Sequence, residues 1–248
     1  MIKMTRWIRY FVLFLFLVVW ELCSRTGVID AFFFSSPTRV FTSILSMAKN
    51  GSIFVHTGVT LLETIVSFVL TLFISTFIST LLWYFNRVSD VIEPYLVALN
   101  SLPKSALAPL LIVWLGTGIK TIIIAGISVA IFGSIINMYY GFKQSDPEKM
   151  KLIYTLGGTR KDVLFKIIIP SSIPIILSNM KVNIGLCLVG VIIGEFLAAR
   201  RGLGYLIIYS SQIFKLDYLI MSIIILCCIA MLLYQGIQVI EKLYNKNK

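Results

Sequence analysis

Long apolar runs separated by short polar breaks set the pattern of this chain. The runs at about 8–22, 60–85, 91–115, 121–140, 175–197 and 218–240 each approach or exceed the roughly 20 helical residues that cross a hydrocarbon core. No stretch alternates at period two for long enough to suggest a membrane barrel. The pattern therefore predicts an all-α polytopic membrane protein with about six transmembrane helices.

Between the first two runs, Pro37 and the Asn50-Gly51 pair punctuate a less apolar connection, and Val40–Ala48 reads as a short helix along the surface. The 60–85 run is rich in Ser and Thr, whose hydroxyls can bond to carbonyls within the helix. Glu63 stands three residues after Thr60, the spacing of a capping box at a helix start. Pro94, Pro103 and Pro109 interrupt the 91–115 run, each removing a backbone donor. That run reads as a translocation-path element or as a kinked structural helix. Gly116-Thr117-Gly118 makes a tight turn. A loop is expected over 200–217.

Composition agrees with the membrane reading. The 248 residues are 58% hydrophobic with a mean hydropathy of +0.93, outside the range of a soluble domain. The net charge of +11 raises nucleic acid as a partner, but the basic residues form no stripe. They sort by side instead. Lys3, Arg6, Arg9, Arg87, Lys143, Lys149, Lys151, Arg160, Lys161, Lys166, Lys242, Lys246 and Lys248 fall on one face of a six-span topology. Only Arg25, Arg39, Lys49, Lys120, Arg200, Arg201 and Lys215 fall on the other. This bias puts both termini in the cytoplasm. Basic Lys3, Arg6 and Arg9 precede the apolar run 10–20 with no small-residue cleavage site after it, so the segment is expected to remain as the first membrane helix.

The segment 143–174 is a basic, partly polar island. Asp146-Pro147 favours a helix start, Leu156-Gly157-Gly158 interrupts that helix, and Thr159 can cap a second one from Arg160. Pro170 and Pro174 are expected to end it before the fifth span. Apolar Leu156, Val163, Leu164 and Phe165 within a basic rim suit a docking surface; a plain polar helix hairpin is the alternative.

Gly157, nine intervening residues, then Ile167, Ile169 and Pro170 resemble the EAA loop, the cytoplasmic signature of ABC importer permeases. Further stretches resemble the nitrate, sulfonate and taurine type within that family. They are Trp20-Glu21-Leu22, Phe34 to Val40, Leu102-Pro103 with Ala108-Pro109-Leu110, Trp114 to Gly118, and Gly194-Glu195 before Gly202-Leu203-Gly204. Importers of pyrimidine and thiamine precursors are similar as well. The resemblance implies a first transmembrane helix and external connection over 1–50, followed by a permease core over 51–248.

It also implies that Lys151, Leu152, Tyr154, Thr155, Leu156, Gly157, Gly158, Thr159, Arg160 and Phe165 form the coupling helix region that docks an ATPase. Lys151-Leu152-Ile153 stands where relatives carry Glu-Ala-Ala, reversing one charge. The implied partners are an ATP-binding ABC subunit in two copies, a second permease subunit forming a homodimer, an extracellular or periplasmic substrate-binding protein, and lipid of a bacterial cell membrane. No nucleic acid, cofactor or metal is expected.

Pro103, Pro109, Asn183 and Glu195 are candidate pathway or gate residues. For Glu195 a structural role at a helix end is favoured over a gate, because a buried acid requires partners. Lys181 lines a polar path or snorkels to the surface. His56 reads as interfacial, and Cys23, Cys187, Cys227 and Cys228 as packing residues. The sequence has no G-x-x-x-x-G-K-[ST], H-E-x-x-H or G-x-S-x-G, so ATP hydrolysis is assigned to another subunit and a membrane enzyme is disfavoured. A non-transporting scaffold using the same island remains a rival reading.

Overall fold

The computed structural model describes residues 2–246 and contains only helices and connections among them. Lys248, used in the charge-bias argument, lies outside the described residues, as do the side chains of Lys3, Arg6 and Arg9. In chain order the helices are α1 (Ile2–Arg25), α2 (Ala31–Phe34), α3 (Pro37–Lys49), α4 (Ser52–Tyr84), α5 (Asn86–Ser101), α6 (Lys104–Leu115), α7 (Ile119–Lys143), α8 (Pro147–Thr155), α9 (Arg160–Val163), α10 (Ile169–Ala198), α11 (Leu203–Gln212) and α12 (Leu216–Lys246). A π-helical turn, Leu164–Ile168, joins α9 to α10.

Among the described residues, α4, α7, α9–α10 and α12 are long and apolar enough to cross a membrane, and the bent pair α5–α6 makes a fifth span if counted as one. With its 24 residues α1 is about 36 Å long, enough for a further crossing. These are the helices that the six apolar runs anticipate. The chain is a multi-pass membrane protein.

Three local expectations need correction. Thr60 and Glu63 form no capping box, because α4 starts at Ser52; there Asn50 Oδ1 accepts from the Ser52 N–H at 3.1 Å. Pro170 and Pro174 do not end a helix ahead of the fifth span. Helix continues from Arg160 to Ala198, with Pro170 in the first turn of α10 and Pro174 inside it. The wider π turn immediately before them eases the fit of rings that lack an N–H and crowd the carbonyl four residues back. Finally, the expected 200–217 loop contains α11.

The molecule divides into two compact units. Met1–Val59 and Arg201–Cys228 make the first, with a core of Val40, Met47, Ile53, Leu206 and Met221 flanked by Trp20 and Tyr218. Its motif residues are structural fasteners. Trp20 Nε1 donates to the Phe34 carbonyl at 3.3 Å, Thr38 Oγ1 donates to Glu21 at 3.0 Å, and Ser36 with Pro37 starts α3. His56 Nδ1 accepts the Gly202 N–H at 3.1 Å, and its ring stacks on Tyr205.

Thr60–Arg200 and Ile229–Lys248 make the second unit. Here α7 and α10 lie backbone to backbone. A Cβ on Gly190 would come within 2.8 Å of both the Ala125 carbonyl oxygen and Gly126 Cα, so only glycine permits this approach. The α4 hydroxyls bond back into their own helix as anticipated: Ser67 to Glu63 O, Thr76 to Leu72 O, Thr80 to Thr76 O. Cys187 is fully buried beside Phe68 and Ala130.

Candidate functional site

Helix α8 begins with Asp146 accepting from the Glu148 N–H at 2.9 Å and Pro147 in the first turn. It ends at Gly157, whose φ of +80° a side-chain-bearing residue adopts only with strain. This turn lets Gly158 N–H reach the Ile153 carbonyl at 2.9 Å and close the helix. Thr159 then starts α9 with a full capping box: its N–H donates to Asp162 Oδ2 at 2.9 Å, and its hydroxyl accepts from the Asp162 N–H at 3.4 Å. Lys166 holds Asp162 from the following turn at 3.0 Å. The two short helices expected from the sequence are thus pinned by local bonds.

One face of the segment is buried. Val163, Leu164 and Ile168 pack with Met138 and Phe142 of α7, and Met150 and Ile153 of α8 join the same cluster, as do Trp83 and Tyr84 at the end of α4. Other apolar side chains of the segment are open: Leu156 is 75% exposed, Phe165 66%, Leu152 57% and Tyr154 49%. Lys151, Thr155 and Thr159 are exposed among them. Exposed large apolar side chains gathered on a polar segment are a general mark of interaction sites.

Arg160 differs from the rest of that set. Its guanidinium turns inward, donating from Nη2 to the Trp83 carbonyl at 2.8 Å and to Asn86 Oδ1 at 2.7 Å. It also lies 5.3 Å from the Trp83 ring centroid and 5.6 Å from that of Tyr84. Arg160 forms a wall of a cleft of about 460 Å³ together with Trp83, Asn86, Asp90, Lys143 and Tyr154. Trp83, Asn86 and Lys143 drew no site assignment from the sequence, since they lie far along the chain from α9 and no local spacing announces the contact.

The candidate pathway residues occupy four separate settings. Pro103 stands at the break between α5 and α6, whose axes bend by 96°. Pro109 lies inside α6. Asn183 is buried and donates to Ser134 Oγ at 2.8 Å; Asn179 donates to the same oxygen at 2.8 Å, and Ser134 in turn donates to Ser75 at 2.9 Å. Glu195 is 1% exposed and accepts from Thr60 Oγ1 at 2.7 Å. Beside it Glu63 is equally buried, and its Oε2 receives no hydrogen bond. Sequence spacing explained Glu63 as a cap and so missed this acidic contact. Lys181 forms an ion pair with Glu241 of α12.

Known proteins share both the sequence pattern and the all-helical architecture of this chain. Residues 72–246 match the family model described as the inner membrane component of binding-protein-dependent transport systems. The chain belongs to that family.

Relatives of this permease include the formylaminopyrimidine transport permease ThiX of Halalkalibacterium halodurans, 27% identical over 189 residues, covering 76% of this chain and 75% of ThiX. A probable ABC transporter permease of Haemophilus influenzae is 29% identical over 222 residues, 89% of each chain. The putative aliphatic sulfonates permease SsuC of Bacillus subtilis is 22% identical over 226 residues, 91% of this chain and 82% of SsuC. In fold, the permease is similar to a chain of the inward-facing MetNI methionine ABC transporter, with a TM-score of 0.66 at 16% identity over 75% of this chain and 92% of that one. This permease is accordingly a transporter subunit, in a family that works with an ATPase and a substrate-binding protein.

Proposed function

We propose that this permease, paired with a second copy of itself, forms the translocation path of an ATP-driven importer in a bacterial cell membrane, with both termini cytoplasmic. Two copies of a separate ATPase dock on the Lys151 to Phe165 surface, and an external binding protein delivers the cargo. The observation that carries this reading is the exposure of Leu152, Tyr154, Leu156 and Phe165 on a doubly capped segment. Burial of such side chains in a partner's cleft supplies docking energy, and the caps keep the segment stiff enough to transmit force.

The cargo is a small anion such as a sulfonate, taurine or nitrate, as the matching motifs suggest. A second reading, a thiamine-precursor importer, is favoured by the formylaminopyrimidine relative. Pro103 and Pro109 are proposed to border the path where α5 and α6 bend, while Asn183 and Glu195 hold helices together.

The test is purification of the tagged chain in mild detergent at native abundance, with bound proteins identified by mass spectrometry. A Walker-type ATPase retained near equal stoichiometry is expected, and Gly157→Val should release it while the permease stays folded. A folded preparation with no ATPase would overturn the importer assignment in favour of a scaffold.

A further inference from the structure

We infer that Arg160 is the positioning residue that links the coupling segment to the α4–α5 junction, so that displacement of α8–α9 is passed into α5 and on toward the bend at Pro103. This rests on the coupling role proposed above, and it reassigns Arg160 from the docking face to the chain's own interior.

The geometry is specific. Trp83 lies in the last turn of α4, where carbonyls lack partners within the helix, and Asn86 is the first residue of α5. A single guanidinium nitrogen bonds both. Its positive charge also suits the negative end of the α4 dipole. The guanidinium also lies within cation–π range of the Trp83 and Tyr84 rings.

On its own side, Arg160 opens α9 directly after the Thr159 cap, so it moves with the capped turn and not as a free surface side chain. Met150 and Ile153 of α8 pack on the same buried cluster as those two aromatic residues. Apolar contact therefore seats the segment against α4, and Arg160 supplies the directional bond that spans the helix break at Phe85. Arginine combines these two bonds with a delocalised charge beside two rings, which a lysine ammonium matches only in part.

Downstream, α5 is attached to α7 by its own contacts. Tyr140 donates to Glu93, and Lys143 lies 3.8 Å from the same carboxylate. A pull at Asn86 therefore acts on a helix braced along one side, which favours tilting over sliding.

The experiment uses the complete permease–ATPase complex in nanodiscs and follows hydrogen–deuterium exchange before and after trapping with Mg-ATP and vanadate. In the unmodified complex, peptides covering 151–165 and 86–101 should both change. In Arg160→Ala, the 151–165 change should persist while the 86–101 change falls at least about threefold, as expected when a coupling element is removed. Arg160→Lys, which keeps the charge and protects the fold, should fall in between, and Asn86→Ala should reproduce the alanine result. An undiminished 86–101 response in Arg160→Ala or in Arg160→Lys would overturn the linkage. A different failure, in which the unmodified complex holds ATPase but 151–165 does not respond, would overturn the coupling reading and the linkage with it.

Discussion

Ser134 uses its full hydrogen-bonding capacity inside the bundle: one hydroxyl proton goes to Ser75, and its lone pairs receive the Asn179 and Asn183 amides. In a setting without water these bonds join α4, α7 and α10. Ser134→Ala would leave two buried amide donors without their acceptor, and should cost about 1–2 kcal/mol. Thermal unfolding in detergent checks this, with Ser75→Ala as the milder companion. Asn183 was recognisable in the sequence as a polar residue in an apolar span, but its role was not, because the partner oxygen lies 49 residues away. Glu63 makes the same point more sharply. Its spacing from Thr60 is a true cap signature, yet α4 runs past both residues, and each meets Glu195 instead.

Helices obey two different kinds of control here. Both ends of α8 and the start of α9 were readable because capping is local: Asp146, Pro147, Gly157 and Thr159 act within four residues of their targets. The start of α4, the continuity of α9 through α10, and α11 were not readable, because packing and a π turn overrode proline and loop signals. Contact between α7 and α10 belongs to the second kind. Gly190→Leu would drive a side chain into Ala125 and Gly126 backbone already at the contact limit, and should destabilise the permease by about 1–3 kcal/mol or more. A lower unfolding temperature, with loss of ATPase only after unfolding, is the expected result. An unchanged unfolding temperature would mean that the two helices can separate without cost.

At the scale of the whole molecule, the proposed sidedness rests on the asymmetry of Lys and Arg about the spans. A cysteine placed at Asn50 in a chain freed of its native cysteines should react with a membrane-impermeant maleimide in intact cells, whereas one at Lys161 should react only after permeabilisation. The opposite labelling would reverse the proposed topology. The sequence by itself determined the membrane class, the approximate set of spans and the two short helices of the polar segment after α7. Each depends on hydrophobic length or on caps that act between near neighbours. Only the tertiary structure decided which side of that segment is open, that Arg160 turns inward onto Trp83 and Asn86, and that Glu63 lies against Glu195. The last two join residues more than 70 positions apart, a separation over which neither periodicity nor spacing carries information.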